Sequence, residues 1–392
     1  MAFSALGEDV SRMDKLESEN AALKARLDSL ESLARKEGIV PSATEAKPVT
    51  ALSTVNVTGF VQASYFYNTK NPTDRMSDGY LWNTRNNSFS INKVKLTLAS
   101  GEVAKDKWDA GYRVSLMWGE DTPVLNTGAP NSGFENLREA FVDVNIPVGT
   151  GLDLKVGQLI SLLNYESGDG GAANNNFSQG YQWFYTGNGP SAGAQLSYAF
   201  TDMIDVKARV QNGMYAGPLD GNDAKTGLVS VGIKPTKDLW FNLIGFGGQE
   251  TKGMSVKGGS VLAGYQVLEP LNVGMEFDYF NFDFGPTDAD LWSIGTFINY
   301  DITKEFGVAL RAEYLDDKDG GGIKGIGPRA GAAINSPDAN GDLMSVTLTL
   351  NYKPVPSLRI QPEVRYDHTG YSGGFDGKTS RIIVGAGITY LF

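Results

Sequence analysis

The sequence contains no cysteine, which excludes disulfides, thiol catalysis and thiolate metal sites. It contains a single histidine, His368. A hydrolase would need that residue beside a fixed nucleophile, and no serine accompanies it, so the chain does not read as an enzyme. No stretch approaches the roughly 18 consecutive apolar residues of a transmembrane helix. Transmembrane strands are untouched by that absence, because they carry apolar residues only at alternate positions. Basic residues are in deficit: 34 Lys and Arg face 45 Asp and Glu, and the net charge of −11 argues against nucleic acid as a partner. The opening MAFSALGEDV lacks the basic segment and apolar core of a secretion signal, so export requires that a signal was removed ahead of residue 1. The acidic run from Asp316 to Gly322, DDKDGGG, lacks the bidentate glutamate of a calcium loop and reads as a flexible acidic loop. No cofactor motif is found.

What the sequence has in abundance is glycine, 48 residues, and tyrosine, 17, as expected where bends and interfacial belts are numerous. The final stretch, RIIVGAGITYLF, shows the governing pattern. Ile382, Val384, Ala386, Ile388, Tyr390 and Phe392 share one face of a strand; Arg381, Gly385, Gly387 and Thr389 share the other. An uncharged apolar face backed by a small or polar one suits a wall between lipid and water. Tyr390 two residues before Phe392 resembles the closing strand of Gram-negative outer-membrane barrels, the signal read by their insertion machinery.

Period two begins at Val55 and persists. The first strand, VNVTGFVQASYFY, sends Val57, Val61, Tyr65 and Tyr67 one way and Asn56, Gln62 and Ser64 the other. About sixteen such strands are predicted, with fourteen or eighteen where boundaries are weak. Short connections such as 147–151, 269–270 and 353–356 alternate with long ones near 69–88, 119–133, 161–191, 212–225, 249–257, 282–290, 316–342 and 369–379. Short turns at one end and long polar loops at the other predict an all-β, antiparallel transmembrane barrel over 55–392, set in outer-membrane lipid. An even strand number places both barrel termini at the short-turn, periplasmic end. Trp108, Trp118, Trp240, Tyr279, Trp292 and Tyr314, near strand ends, read as aromatic girdles.

Residues 1–10 read as the mature N-terminus, and residues 11–37 show heptads. Met13, Asn20 and Leu27 occupy position a, with Leu16, Leu23 and Leu30 at d. Arg12, Glu19 and Arg26 at g oppose Glu17, Lys24 and Glu31 at e in sign each time, which predicts a parallel coiled coil with Asn20 fixing its register. Residues 38–54 read as an extended linker. The coil is expected in the periplasm, with the cell wall as a candidate contact.

The polar strand faces supply the candidate pore lining. Its cations are Lys93, Lys95, Arg113, Lys155, Lys207, Arg209, Arg311, Arg359, Arg365 and Arg381. Its anions are Asp109, Glu139, Asp143, Asp153, Asp205, Glu276, Asp278, Glu313, Glu363 and Asp367. So many ionisable groups are too costly in a dry interior, and the expectation is a wide, water-filled lumen. The two signs balance along the wall, and the overall −11 supports at most a weak cation preference. The connection 161–191 is the candidate constriction, with Glu166, Asp169, Asn174, Asn175, Asn176 and Tyr181. Its position and length resemble the third loop of general trimeric porins, which folds into the barrel.

Together, VNVTGFVQASYFYN, KVGQLISLLNYES, NNNFSQGYQWFY, FTDMIDVKARVQNG and ITYLF resemble the OmpL-like β-barrel porin family, over about Val55 to Phe392. The resemblance implies passive diffusion of small hydrophilic solutes and ions through a homotrimer. A barrel with a periplasmic coil also resembles outer-membrane tethering porins. That likeness raises a second expectation, a structural spacer whose coil sets the distance to the cell wall.

Overall fold

Alternating side chains build a wall that is apolar outside and polar inside. The computed structural model describes residues 18–26, 29, 55–126, 133–214, 216–320, 322–323, 334 and 336–392. The chain divides into two compact units, Met1–Asn56 and Val57–Phe392. In the first, residues 18–26 and 29 are helical and exposed. Asn20 and Leu23 lie on this helix; Met13, Leu16, Leu27 and Leu30 lie outside the described residues.

The second unit holds sixteen strands. They are β1 (Asn56–Asn68), β2 (Ser88–Ala99), β3 (Asp109–Trp118), β4 (Leu137–Ile146), β5 (Leu152–Leu159), β6 (Ser191–Ala199), β7 (Ile204–Gln211) and β8 (Thr226–Ile233). There follow β9 (Leu239–Thr251), β10 (Met254–Leu268), β11 (Leu271–Asp283), β12 (Asp288–Asp301), β13 (Phe306–Asp317), β14 (Gly341–Val355), β15 (Leu358–Thr369) and β16 (Ser380–Leu391). Each pairs with its sequence neighbours, and β1 closes the barrel against β16, with Phe60 opposite Leu391 and Asn68 opposite Ile383. Closure leaves no unpaired edge, the condition for strands to cross lipid.

The burial pattern is the reverse of a soluble protein's. Val61, Val142, Leu243, Ile294, Leu348 and Ile388 point outward and are exposed, whereas Gln62, Ser115, Ser260, Thr347, Gln361 and Thr389 point inward and are buried. At the seam, the Phe392 N–H donates to the Gly59 carbonyl at 3.0 Å and the Gly59 N–H to the Phe392 carbonyl at 2.9 Å. A Cβ on Gly59 would stand 2.7 Å from the Phe392 ring, so a glycine there makes room for the terminal aromatic.

Three expectations need correction. The connections expected at 249–257 and 282–290 are largely strand: β9 and β10 run on to a turn at Lys252 and Gly253, where Gly253 has φ +84°. Outward residues of these extensions, such as Gln249, Lys257 and Asp288, are polar because they stand beyond the Tyr279–Trp292 level, facing water instead of lipid. That polarity is what made them look like loop. Trp240 belongs to no girdle, since its ring stacks inside the barrel on Tyr165 at 6.0 Å. Finally, the long-loop half of the lumen is packed. Phe177, Phe184 and Tyr185 of the β5–β6 connection meet Phe246, Phe280, Phe282, Leu291 and Leu315 of the wall in one apolar cluster.

Candidate pore and its inserted connection

Beyond Leu159 the chain turns into the barrel, forming a 3-10 turn at Gly170–Ala172 and a short helix at Tyr181–Tyr185 before β6. Irregular backbone enclosed at membrane depth must find partners for its peptide groups. Charged wall residues provide them. The Phe177 N–H donates to Glu363 at 2.8 Å, and the Tyr181 and Gln182 N–H groups donate to Glu313 at 2.7 and 3.1 Å. Within the connection, the Gly180 N–H donates to Glu166 at 2.8 Å. In the opposite sense, Arg311 donates to the Ser178 carbonyl at 2.6 Å and Arg365 to the Gln179 carbonyl at 2.8 Å. Hydrogen bonds to ionised groups are the strong ones, so this segment is held as if in a clamp.

Above the clamp three connections meet. Arg365 lies over Tyr80 and Tyr181 at 4.7 and 4.4 Å, and Arg381 over Tyr80 and Phe375 at 4.5 and 4.1 Å. Asp367 accepts from both guanidiniums, at 2.6 and 2.9 Å. Tyr80, Tyr181 and Phe375 come from different long connections, so the cation–π stack ties them together.

Lys93 pairs with Asp121 at 3.3 Å, Lys95 with Asp169 at 2.7 Å, and Arg311 with Glu166 at 2.7 Å. Glu276 accepts from the Tyr165 N–H at 2.8 Å, Asp278 from the Gln182 amide at 2.9 Å, and Arg359 donates to the Gly171 carbonyl at 3.3 Å. Asn174 exchanges hydrogen bonds with the Ser167 backbone, the Asn175 carbonyl accepts from Asn351, and Asn176 donates to Thr349. Lys93, Glu276, Asp278, Arg311, Glu313, Glu363 and Arg365 are therefore buried beneath the connection instead of standing in open water. Protein partners, not a wide aqueous lumen, compensate their charge. Asp109 accepts from the Ala104 N–H at 2.8 Å and so fastens a short turn. Asp317 of the acidic run is anchored, not loose: it accepts from the Gly322 and Ile323 N–H groups and the Tyr371 hydroxyl.

Burial sets the carboxyl behaviour of the connections. It raises Asp121 above the usual carboxylate range against the opposing pull of Lys93, and raises Glu166 against Arg311. At the long-loop end, burial first and the neighbouring Asp78 carboxylate second push Asp376 up to about 6.

Open space survives on the β2–β7 side. Two adjoining cavities of about 650 and 540 Å³ share Glu139, Phe141, Asp143, Lys155, Ile160 and Ser161 in their walls. Both reach the short-turn end at Glu102 and Val103. Arg113 pairs with Glu139 at 2.7 Å, Lys155 with Asp143 at 3.6 Å, and Lys207 with Asp205 at 3.9 Å. Arg209 donates to Gln195 and to the Ile160 carbonyl, each at 2.7 Å. Arg138 also lines this space, although strict alternation from Glu139 would turn it outward. The β3–β4 register shifts between Ser115 and Leu116, a bulge that rotates Arg138 inward. Nothing in the sequence marks that bulge.

Residues 54–392 match the family model described as "Putative beta-barrel porin-2, OmpL-like". No curated protein matches the sequence. Among solved structures, the trimer form of OmpT, an outer membrane protein of Vibrio cholerae, superimposes with a TM-score of 0.59 at 14% identity, covering 86% of this chain and 99% of that one. OprB of Pseudomonas putida gives 0.59 at 12% identity, covering 86% and 94%. The outer membrane channel DcaP of Acinetobacter baumannii gives 0.55 at 14% identity, covering 86% and 97%. At these identities the likeness concerns the fold.

Proposed function

This chain belongs to the OmpL-like β-barrel porin family, and from that premise we propose that it conducts small hydrophilic solutes and ions across the outer membrane by passive diffusion. The observation that carries the reading is the polar cavity pair between the inserted connection and the β2–β7 wall, which opens at the short-turn end. The clamp makes the connection a fixed constriction, with Glu166 and Asp169 on its passage side. The wall residues Lys95, Arg113, Glu139, Asp143, Lys155, Lys207 and Arg209 line the passage. A weak preference for cations among simple salts follows from acidic charge at the long-loop mouth, where Asp223, Asp288 and Asp319 are exposed.

The working unit is a homotrimer inserted by machinery that reads Tyr390 and Phe392, with the coil of residues 11–37 in the periplasm. Planar-bilayer recording of the purified protein tests this. Stable openings closing in three equal steps, with a reversal potential of cationic sign under a salt gradient, are expected. Silence from folded, inserted protein overturns the channel. The spacer reading has one supporting observation, an exposed helix with Leu23 unburied. Deleting residues 11–37 separates the two: a channel keeps its conductance, whereas a spacer loses envelope integrity.

A further inference from the structure

The lipid-facing wall carries a depression on β8 to β11. Gly227, Gly245, Gly247 and Gly259 occupy outward positions of β8, β9 and β10. Strand pairing sets them side by side, Gly227 opposite Gly247 and Gly245 opposite Gly259. Glycine weakens a strand, and inside one it marks a place where something else comes close. None of the four has a positive φ. A Cβ added at Gly227 or Gly245 would meet nothing within 4 Å, and at Gly247 it would come no nearer than 3.5 Å, to Lys257. At these three positions the chain's own packing does not require glycine. What glycine leaves is a groove of about 570 Å³, floored by Gly245 and Gly259 and walled by Val229, Leu243, Val261 and Phe277. It lies at the height of the aromatic girdle, since Gly259 pairs with Tyr279 and Tyr279 with Trp292. The Tyr279 ring borders the groove, its hydroxyl donating to Asp290 at 2.8 Å.

Lys257 stands one same-face step beyond Gly259 toward the long-loop end, opposite Gly247. Its side chain is exposed and has no ion pair or hydrogen bond among the described residues. Gln249 and Ser255, paired in register, follow one step further out. An apolar groove capped by an ammonium, an amide and a hydroxyl matches the two ends of a lipid. We propose that the groove is a lipid site, which takes one acyl chain of a phosphorylated, multiply acylated outer-leaflet lipid of the lipid A class while Lys257 meets a headgroup phosphate. A lysine ammonium is a compact point charge suited to phosphate, and basic side chains just outside the hydrocarbon are where lipid phosphates are recognised. Lys257 decides against a second barrel as the occupant. An apolar wall seated in the groove would enclose the ammonium without a counter-charge, which is costly. The proposal needs only that the barrel sits in the outer membrane, and it is independent of conduction.

Native mass spectrometry of the detergent-folded full chain, titrated with bisphosphorylated lipid A and separately with its dephosphorylated form, tests the site. A saturable adduct of one lipid per barrel is expected, weakened about fivefold by loss of the phosphates or by Lys257→Gln. In Lys257→Gln the two lipids should bind alike. This variant removes no contact within the chain, so it guards against loss by misfolding. Gly245→Leu fills the groove and should abolish the adduct in folded barrels. Wild-type binding by Gly245→Leu, or equal binding of the two lipids to the wild-type protein, overturns the site. An oligomer that Gly245→Leu dissociates while lipid binding persists makes the groove a contact between copies and likewise overturns it.

Discussion

Replacing Glu313 with glutamine should release the inserted connection while leaving the barrel closed. The Glu313 carboxylate accepts from the Tyr181 N–H at 2.7 Å, the Gln182 N–H at 3.1 Å and the Ser345 hydroxyl at 2.6 Å. It also faces Arg365 at 3.6 Å and Arg311 at 3.9 Å. Glutamine keeps the volume but turns one acceptor oxygen into a donor and removes the charge that two buried guanidiniums lean on. One hydrogen bond to a charged group is lost and another weakened, each worth about 1.5–3 kcal/mol. With the guanidiniums left under-compensated, the total is about 3–5 kcal/mol, the range for breaking a buried pair from one side. The loss falls on residues 177–182, because the β12–β13–β14 ladder is made by backbone groups the substitution does not touch. Hydrogen exchange at these amides should quicken by about a hundredfold or more, and single-channel conductance should rise. Unaltered circular dichroism shows that the barrel still folds. Unchanged exchange and unchanged conductance in such a folded variant would refute the clamp.

Three further outcomes are expected. Gly387 lies against Phe177, where an added Cβ would stand 2.0 Å from the ring. Gly387→Val should therefore dislodge the connection at a cost of about 1–3 kcal/mol, read as altered conductance; wild-type conductance would refute this packing. Asp376 has its carboxyl raised in the folded protein, so its charged form is penalised above about pH 6, and stability of the 370–379 connection is gained as pH falls through that value. Amide exchange there, corrected for intrinsic rate, should slow between pH 7.5 and 5, and Asp376→Asn should abolish the change; faster corrected exchange on acidification would contradict the sign. Deleting Phe392 removes two backbone hydrogen bonds at the seam, about 1–3 kcal/mol; the folded, membrane-inserted fraction should fall, and an unaltered fraction would remove the closing role.

The sequence by itself determined the wall. Period-two alternation forces every second residue toward lipid, and that rule is local, so strand number, order and facing were readable from residues such as Val364, Arg365 and Tyr366 on β15. Alternation misleads where the chain departs from it. The bulge beside Leu137 turned Arg138 inward, and β9 to β12 outgrow the lipid and lose their apolar outer face. What tertiary structure alone decided is the state of the interior. Glu313, Glu363, Arg311 and Arg365 have the same sequence pattern whether they face water or a peptide backbone. Their burial depends on a connection well over a hundred residues away in the chain, Phe177 to Gln182, folding across to meet them. Which charges are consumed there is a question of distance in space that no spacing along the chain encodes.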